Sequence, residues 1–147
     1  MSEPAWAPPG EGWVADEECG FVALIGPVWQ RSEGAGMTYG LRVEPKHMNR
    51  DGSLHGGMFL ALFDHALGMA AYAHGGVERL VTMQLGTQFM GGAKVGDFLE
   101  LTAEVVKQTG SYMFMRGECR GAAKLLATSE GIWKKFHRRA HGAAGGG

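Results

Sequence analysis

Asp64 stands in the middle of a run, MFLALFDHALGMAAYA from Met58 to Ala73, that is otherwise apolar on every side except at His65. Such a run predicts a helix enclosed by protein rather than one lying on a surface. An ionised carboxylate taken out of water without a partner costs about several kcal/mol, or shifts until it is neutral. A carboxylate in so apolar a setting is therefore a candidate working group, and a structural carboxylate hydrogen-bonded at an interface is the other reading. Directly upstream lies His47-Met48-Asn49-Arg50-Asp51-Gly52-Ser53-Leu54-His55-Gly56-Gly57. This segment delivers two glycines to the start of the helix, where unpaired backbone N–H groups and the positive end of the helix dipole meet. Without a Cβ, glycine lets a carbonyl come close to that backbone.

These residues need elements to position them. Phe21-Val22-Ala23-Leu24-Ile25 and Met37 to Glu44 are expected as two strands joined by a Gly- and Ser-containing turn, with Pro45 closing the second. Residues 47–57 follow as a loop, and Gly75-Gly76 ends the helix. Beyond it come four long strand-like runs, Leu80 to Met90, Asp97 to Lys107, Ser111 to Cys119 and Leu125 to Phe136. Their breaks at Gly91-Gly92, Thr109-Gly110 and Gly121 are short enough to make these strands antiparallel neighbours. Within the second run, Leu99, Leu101, Ala103 and Val105 form an apolar face opposite Glu100, Thr102 and Glu104, so the sheet has a wet side. The expected fold class is α+β, one long helix lying across one curved antiparallel sheet.

A chain of 147 residues, 45% of them hydrophobic, suffices for one domain with a real core. Residues 1–15, with Trp6 and Trp13, are expected to form an irregular arm docked by its aromatics. Residues 16–137 make the domain, and the Gly/Ala-rich residues 138–147 a disordered tail. The formal net charge of -1 gives no global field for nucleic acid or an anionic membrane, and neither partner is expected. Nothing resembles a signal peptide or a membrane span, and Cys19 and Cys119 suit reduced thiols, so the cytoplasm is the expected location.

The chain resembles the hotdog-fold acyl-CoA thioesterases of the phenylacetate-pathway (PaaI-like) type. The resemblance is carried by His47-x-Asn49-x-x-Gly52-x-x-His55-Gly56-Gly57, by Leu62-Phe63-Asp64, and by Ala93-Lys94-Val95-Gly96-Asp97 before a long strand. It spans roughly residues 20–136. It implies a helix wrapped by an antiparallel sheet, homodimers whose sheets join edge to edge, often homotetramers, and hydrolysis of acyl- or aroyl-coenzyme A without metal or organic cofactor.

Thioester hydrolysis needs a nucleophile, a base to activate it, and donors for the charge growing on the carbonyl oxygen. By resemblance, the Gly56 N–H polarises the carbonyl while Asp64 is the general base or the direct nucleophile. Asn49 matches the residue that orients the attacking water or the carboxylate, and His55 one that supports the loop and contacts the carbonyl side. Thr82 aligns with a hydroxyl position near the carboxylate. Gly57, Phe59, Phe63 and Leu67 are candidates for bordering the substrate, the last three having a core role as their alternative. Asp64 lies eight residues beyond Gly56, which on a helix is about 12 Å. One chain cannot bring both to one carbonyl, so the site is expected to be shared across a two-fold axis.

The remaining histidines suit structural roles: His65 points about 100° away from Asp64, His47 packs the loop, and His74 sits at the helix C-terminus, where the dipole favours it. None has metal-ligand spacing with another His or Cys, and no metal site is expected. Lys94, Lys107, Arg116, Arg120, Lys124, Lys134, Lys135, Arg138 and Arg139 are available for the phosphates of coenzyme A. Two other functions compete. A hotdog dehydratase or hydratase with His55 as base lacks its D-x-N-P-x-H or His-containing P-G loop here. A non-catalytic acyl-CoA-binding protein would need a lost carboxylate or an attached domain.

Overall fold

Ala, Leu and Met dominate the central run, and it folds as one helix of 20 residues, Gly56–Gly75, in the computed structural model, which describes residues 6–137. The Gly/Ala-rich residues 138–147, with Arg138 and Arg139, lie outside the described residues. His55 caps the helix by accepting from the Gly57 N–H, and Gly76 ends it at φ +63°, a left-handed conformation that glycine adopts without strain.

Before the helix the chain forms β1 (Val14–Ala15), α1 (Gly20–Ile25), β2 (Val28–Glu33) and β3 (Gly36–Arg42). After the central helix, α2, come β4 (Arg79–Phe89), β5 (Phe98–Gln108), β6 (Tyr112–Gly121) and β7 (Lys124–Phe136). All seven strands join one antiparallel sheet in the order β1-β2-β3-β5-β6-β7-β4. This is the helix wrapped by a curved sheet that the resemblance implied.

Two expectations are corrected. Phe21 to Ile25 is the helix α1 and not a strand. A five-residue apolar run has no period that separates helix from strand, and the strand position beside β3 is taken by β2, whose Glu33 pairs with Gly36 across a two-residue turn. None of the α1 side chains is buried. The break at Gly91-Gly92 is likewise not a hairpin. β4 pairs with β7, while β5 pairs with β3 and β6, so the segment between β4 and β5 crosses from one side of the sheet to the other.

The core lies between α2 and the concave face of the sheet. Met58, Phe59, Leu62, Phe63, Ala66, Leu67 and Ala71 of α2 meet Leu99, Leu101, Met113, Met115 and Trp133. Close approach of helix and sheet depends on Gly117, where an added Cβ would lie 2.5 Å from the Thr102 carbonyl oxygen and 2.9 Å from Leu67 Cδ2. On the convex face Trp6 and Trp13 pack against Phe98, with Arg42 over Trp6 and Arg31 over Trp13. No helix among the described residues is long and apolar enough to cross a membrane.

Candidate active site

The loop that enters α2 is built by its own polar residues. His47 is buried, and its ring spans two segments: Nδ1 accepts from the Glu44 N–H at 2.9 Å and Nε2 lies 2.6 Å from the Ile25 carbonyl oxygen. With Nδ1 accepting, Nε2 carries the proton and donates. Asn49 folds the turn, its Oδ1 accepting from the N–H groups of Asp51 and Ser53, each at 3.0 Å. The Leu54 N–H bonds the Ala93 carbonyl, and the His55 N–H bonds that of His47. Ala93 opens a turn in which the Lys94 N–H donates to Asp97 Oδ2, so Ala93 to Asp97 buttresses the loop.

The helix start then divides its donors. The Gly57 N–H is taken by His55 Nδ1 at 2.9 Å and the Met58 N–H by the His55 carbonyl. The Gly56 N–H has no partner among the described residues. Phe89, at the end of β4, stands over Gly56, its ring 3.7 Å from where a Cβ would be. Phe21, Lys46, Met48, His55, Gly57 and Ala61 line an open depression beside this helix start. Roomier hollows, around Thr102, Glu104 and Arg116, lie on the outer face of the sheet, where Arg116 is paired with Glu104.

Asp64 is exposed within the single chain, which corrects the expectation of a carboxylate enclosed by its own fold. Its one hydrogen-bond partner among the described residues is Thr82, whose Oγ1 donates to Asp64 Oδ1 at 2.6 Å. Thr82 is held there by a β-bulge, the β4–β7 register slipping between Thr82 and Gln84; bulges re-aim side chains in this way. Leu60, Asp64 and Tyr72 form an exposed stripe on α2. Tyr72 receives the Leu80 N–H on its hydroxyl, so the stripe runs alongside β4. That strand pairs on one side with β7 and presents its other side unpaired among the described residues. The helix is apolar all round because this face, too, is suited to being covered.

The other candidates are placed as follows. Phe63 and Leu67 are wholly buried and pack the core, Leu67 facing Gly117. His65 turns away from Asp64 to Asp16, with Nε2 2.8 Å from Oδ2 and the two side chains 9% and 8% exposed. His74 Nδ1 bonds the Ala70 carbonyl in the last turn of α2. Sequence spacing gave no metal set, yet the fold brings possible ligand atoms of Asp16, Glu18 and His65 within 4.8 Å of one another. Tyr39, stacked edge-on against His65, has its hydroxyl pushed up to about 12 by burial and by the charges of Asp16 and Glu18. Among candidate phosphate ligands, Arg116 and Arg120 are engaged by Glu104 and Glu118. Phe89 and the open edge of β4 were missed from the sequence. An aromatic at the end of a strand carries no local signal, and edge position is a property of the sheet.

A family model described as the thioesterase superfamily matches residues 51–122. A Pseudomonas aeruginosa protein named as an esterase is 32% identical over 115 residues, 77% of this chain and 86% of that protein. Human acyl-coenzyme A thioesterase 13 is 32% identical over 89 residues, 59% of this chain and 64% of that protein. Among solved structures, zebrafish thioesterase superfamily member 2 has a TM-score of 0.73 at 30% identity, covering 82% of this chain and 89% of that one. The E. coli PaaI protein of the phenylacetic acid degradation operon has a TM-score of 0.71 at 21% identity, covering 78% and 83%, and so bears on the fold alone.

Proposed function

The chain belongs to the thioesterase superfamily, and from that footing we propose that it hydrolyses acyl- or aroyl-coenzyme A to the free acid and coenzyme A. Asp64 is the general base and the Gly56 N–H the carbonyl donor. The observation that carries this reading is the Asp64–Thr82 pair, open on the stripe beside the free β4 edge. One carboxylate oxygen is pinned by the hydroxyl, and the other remains to take a proton from water. Asn49 Oδ1 is engaged by the loop, which leaves its amide N–H groups to donate to that water or to the carboxylate.

Gly56 and Asp64 are eight residues apart on one helix, about 12 Å, whereas catalytic contacts are about 3 Å. Two copies therefore pair β4 to β4 about a two-fold axis, and each site takes Gly56 from one copy and Asp64 with Thr82 from the other. The Asp64 carboxylate takes a proton as water adds to the thioester carbonyl carbon. Negative charge develops on the carbonyl oxygen facing the Gly56 N–H and the α2 dipole. Collapse breaks the carbon–sulfur bond, and the coenzyme A thiolate leaves and is protonated. Human acyl-coenzyme A thioesterase 13, similar in sequence over 59% of this chain, supports this substrate class.

The test is thiol release from a panel of acyl- and aroyl-CoAs. Asp64→Asn is expected to lower turnover by about 10²-fold or more with little change in melting temperature, since the Asn oxygen still accepts from the Thr82 hydroxyl. Unchanged turnover sinks the assignment.

A further inference from the structure

We propose that Phe89 is a wall of this site that sets how bulky an acyl group it accepts at the carbon next to the thioester carbonyl. The inference rests on the Gly56 N–H holding that carbonyl. Phe89 is the last residue of β4, and its ring carbons Cε1 and Cζ lie 3.7 Å from the position of a Cβ on Gly56. Phe89 is 52% exposed within the single chain, which leaves one side of the ring open beside the unpartnered amide, where the shared site forms.

The ring is held from behind. Phe59, 2% exposed, meets it edge to face with centroids 5.8 Å apart and planes at 68°, a favoured aromatic geometry. The backbone there is fixed as well. Phe89 pairs with Ala127 of β7, and the N–H groups of Met90 and Gly91 both bond the Leu126 carbonyl. A carbonyl oxygen accepting from the Gly56 N–H sits about 2.9 Å from that nitrogen, and its carbon about 1.2 Å further on. The first carbons of the acyl group then pass the ring. A rigid apolar wall favours a straight methylene chain by contact and opposes a branch by overlap. The apolar ring suits the acyl chain better than the pantetheine arm, which carries polar amides and leaves from the opposite side of the carbonyl.

The experiment compares kcat/KM for two isomeric substrates, butanoyl-CoA and 2-methylpropanoyl-CoA, in the wild type, Phe89→Leu and Phe89→Ala. The wild type is expected to prefer the straight chain by about 10-fold or more, the size of discrimination one methyl group gives in a packed pocket. Phe89→Ala should erase most of that ratio, with Phe89→Leu between. The leucine variant keeps a large apolar side chain on Phe59 and serves as the folding control. The same ratio in all three proteins, or no preference in the wild type, overturns the proposal. A ring touching only the arm common to all substrates would lower both rates equally and leave the ratio intact, which is the same refutation. Asp64→Asn is assayed alongside: retained turnover in that variant refutes the catalytic assignment without touching the ratio. No turnover by the wild type on any acyl-CoA overturns both.

Discussion

Gly56→Pro removes a single atom of the proposed chemistry, the amide hydrogen, and the structure says it can do so without unfolding the protein. Gly56 is the first residue of α2, the helical position where proline is tolerated because its N–H would have no intrahelical partner. The residue before it, His55, has φ −61° and ψ 134°, the extended conformation that a following proline requires. A new Cβ would meet Phe89 at 3.7 Å, an ordinary contact. The His55 cap on the Gly57 N–H is untouched. Proline at a compatible position stabilises by ~0.4–1 kcal/mol through the unfolded chain, raising the melting temperature by roughly 1–4 °C. Loss of an oxyanion donor costs ~2.7–4 kcal/mol, or about 10²–10³ in kcat. The expected variant is thus slightly more heat-stable and nearly inactive. Gly56→Ala keeps the N–H but sets a Cβ 3.7 Å from the Phe89 ring, where the substrate passes, and should lose less activity than the proline variant. Thermal melts and thiol release from an acyl-CoA measure both. If Gly56→Pro turns over as Gly56→Ala does, the amide is not the carbonyl donor.

Mixing unfolded Gly56→Pro and Asp64→Asn chains and refolding them together tests the shared site. Half the dimers are then mixed and each holds one intact site, so about a quarter of wild-type activity should return; no recovery would place the whole site in one chain. Thr82→Val removes the hydroxyl donated to Asp64. Hydrogen bonds to charged groups contribute about 1.5–3 kcal/mol, and the exposure of this pair favours the low end, roughly 10-fold in kcat with KM little changed. Thr82→Ser should restore the rate, and equal rates for valine and serine would remove Thr82 from the mechanism. His47→Leu strands the Glu44 N–H and the Ile25 carbonyl, at about 2–4 kcal/mol together, and should lower the melting temperature by roughly 5–15 °C. An unchanged melt would show that the ring does not pin the loop. Burial pushes the Cys119 thiol up to about 12. Cys19 is exposed, so a thiol reagent at pH 8 should titrate one thiol in the native protein and two after denaturation.

Much of the fold was legible because it is written locally. Sixteen residues that are apolar but for Asp64 and His65, a glycine pair after them and strand runs separated by glycine turns place α2 and β4 to β7 nearly at their observed ends. The loop was legible in part, His47 and His55 being read as packing and supporting it while the turn-folding bonds of Asn49 were not. A ring, an amide and a second imidazole at fixed spacing fold it through bonds that mostly span two to four residues, as Asn49 and His55 do. The proposal of a shared site also starts from chain geometry, since eight helical residues separate the two groups by about 12 Å in any fold.

What the sequence could not carry is which distant surfaces meet. Periodicity says that a face is buried, not what covers it, so β4 looked like a neighbour of β5 and instead lies at the far edge beside β7. The short apolar run that became α1 was ambiguous for the same reason. Thr82 reaches Asp64 across 18 residues, a contact implied only by the resemblance and by no local pattern, and His65 reaches Asp16 across 49. Phe89 comes over Gly56 only because the β4–β7 pairing and the Phe59 contact fix where the strand ends. The residue types able to do chemistry and their spacing along the helix belong to the sequence. The placing of a hydroxyl on the carboxylate, an aromatic wall by the amide and an open strand edge beside both came from packing, which alone sets contacts between residues far apart in the chain.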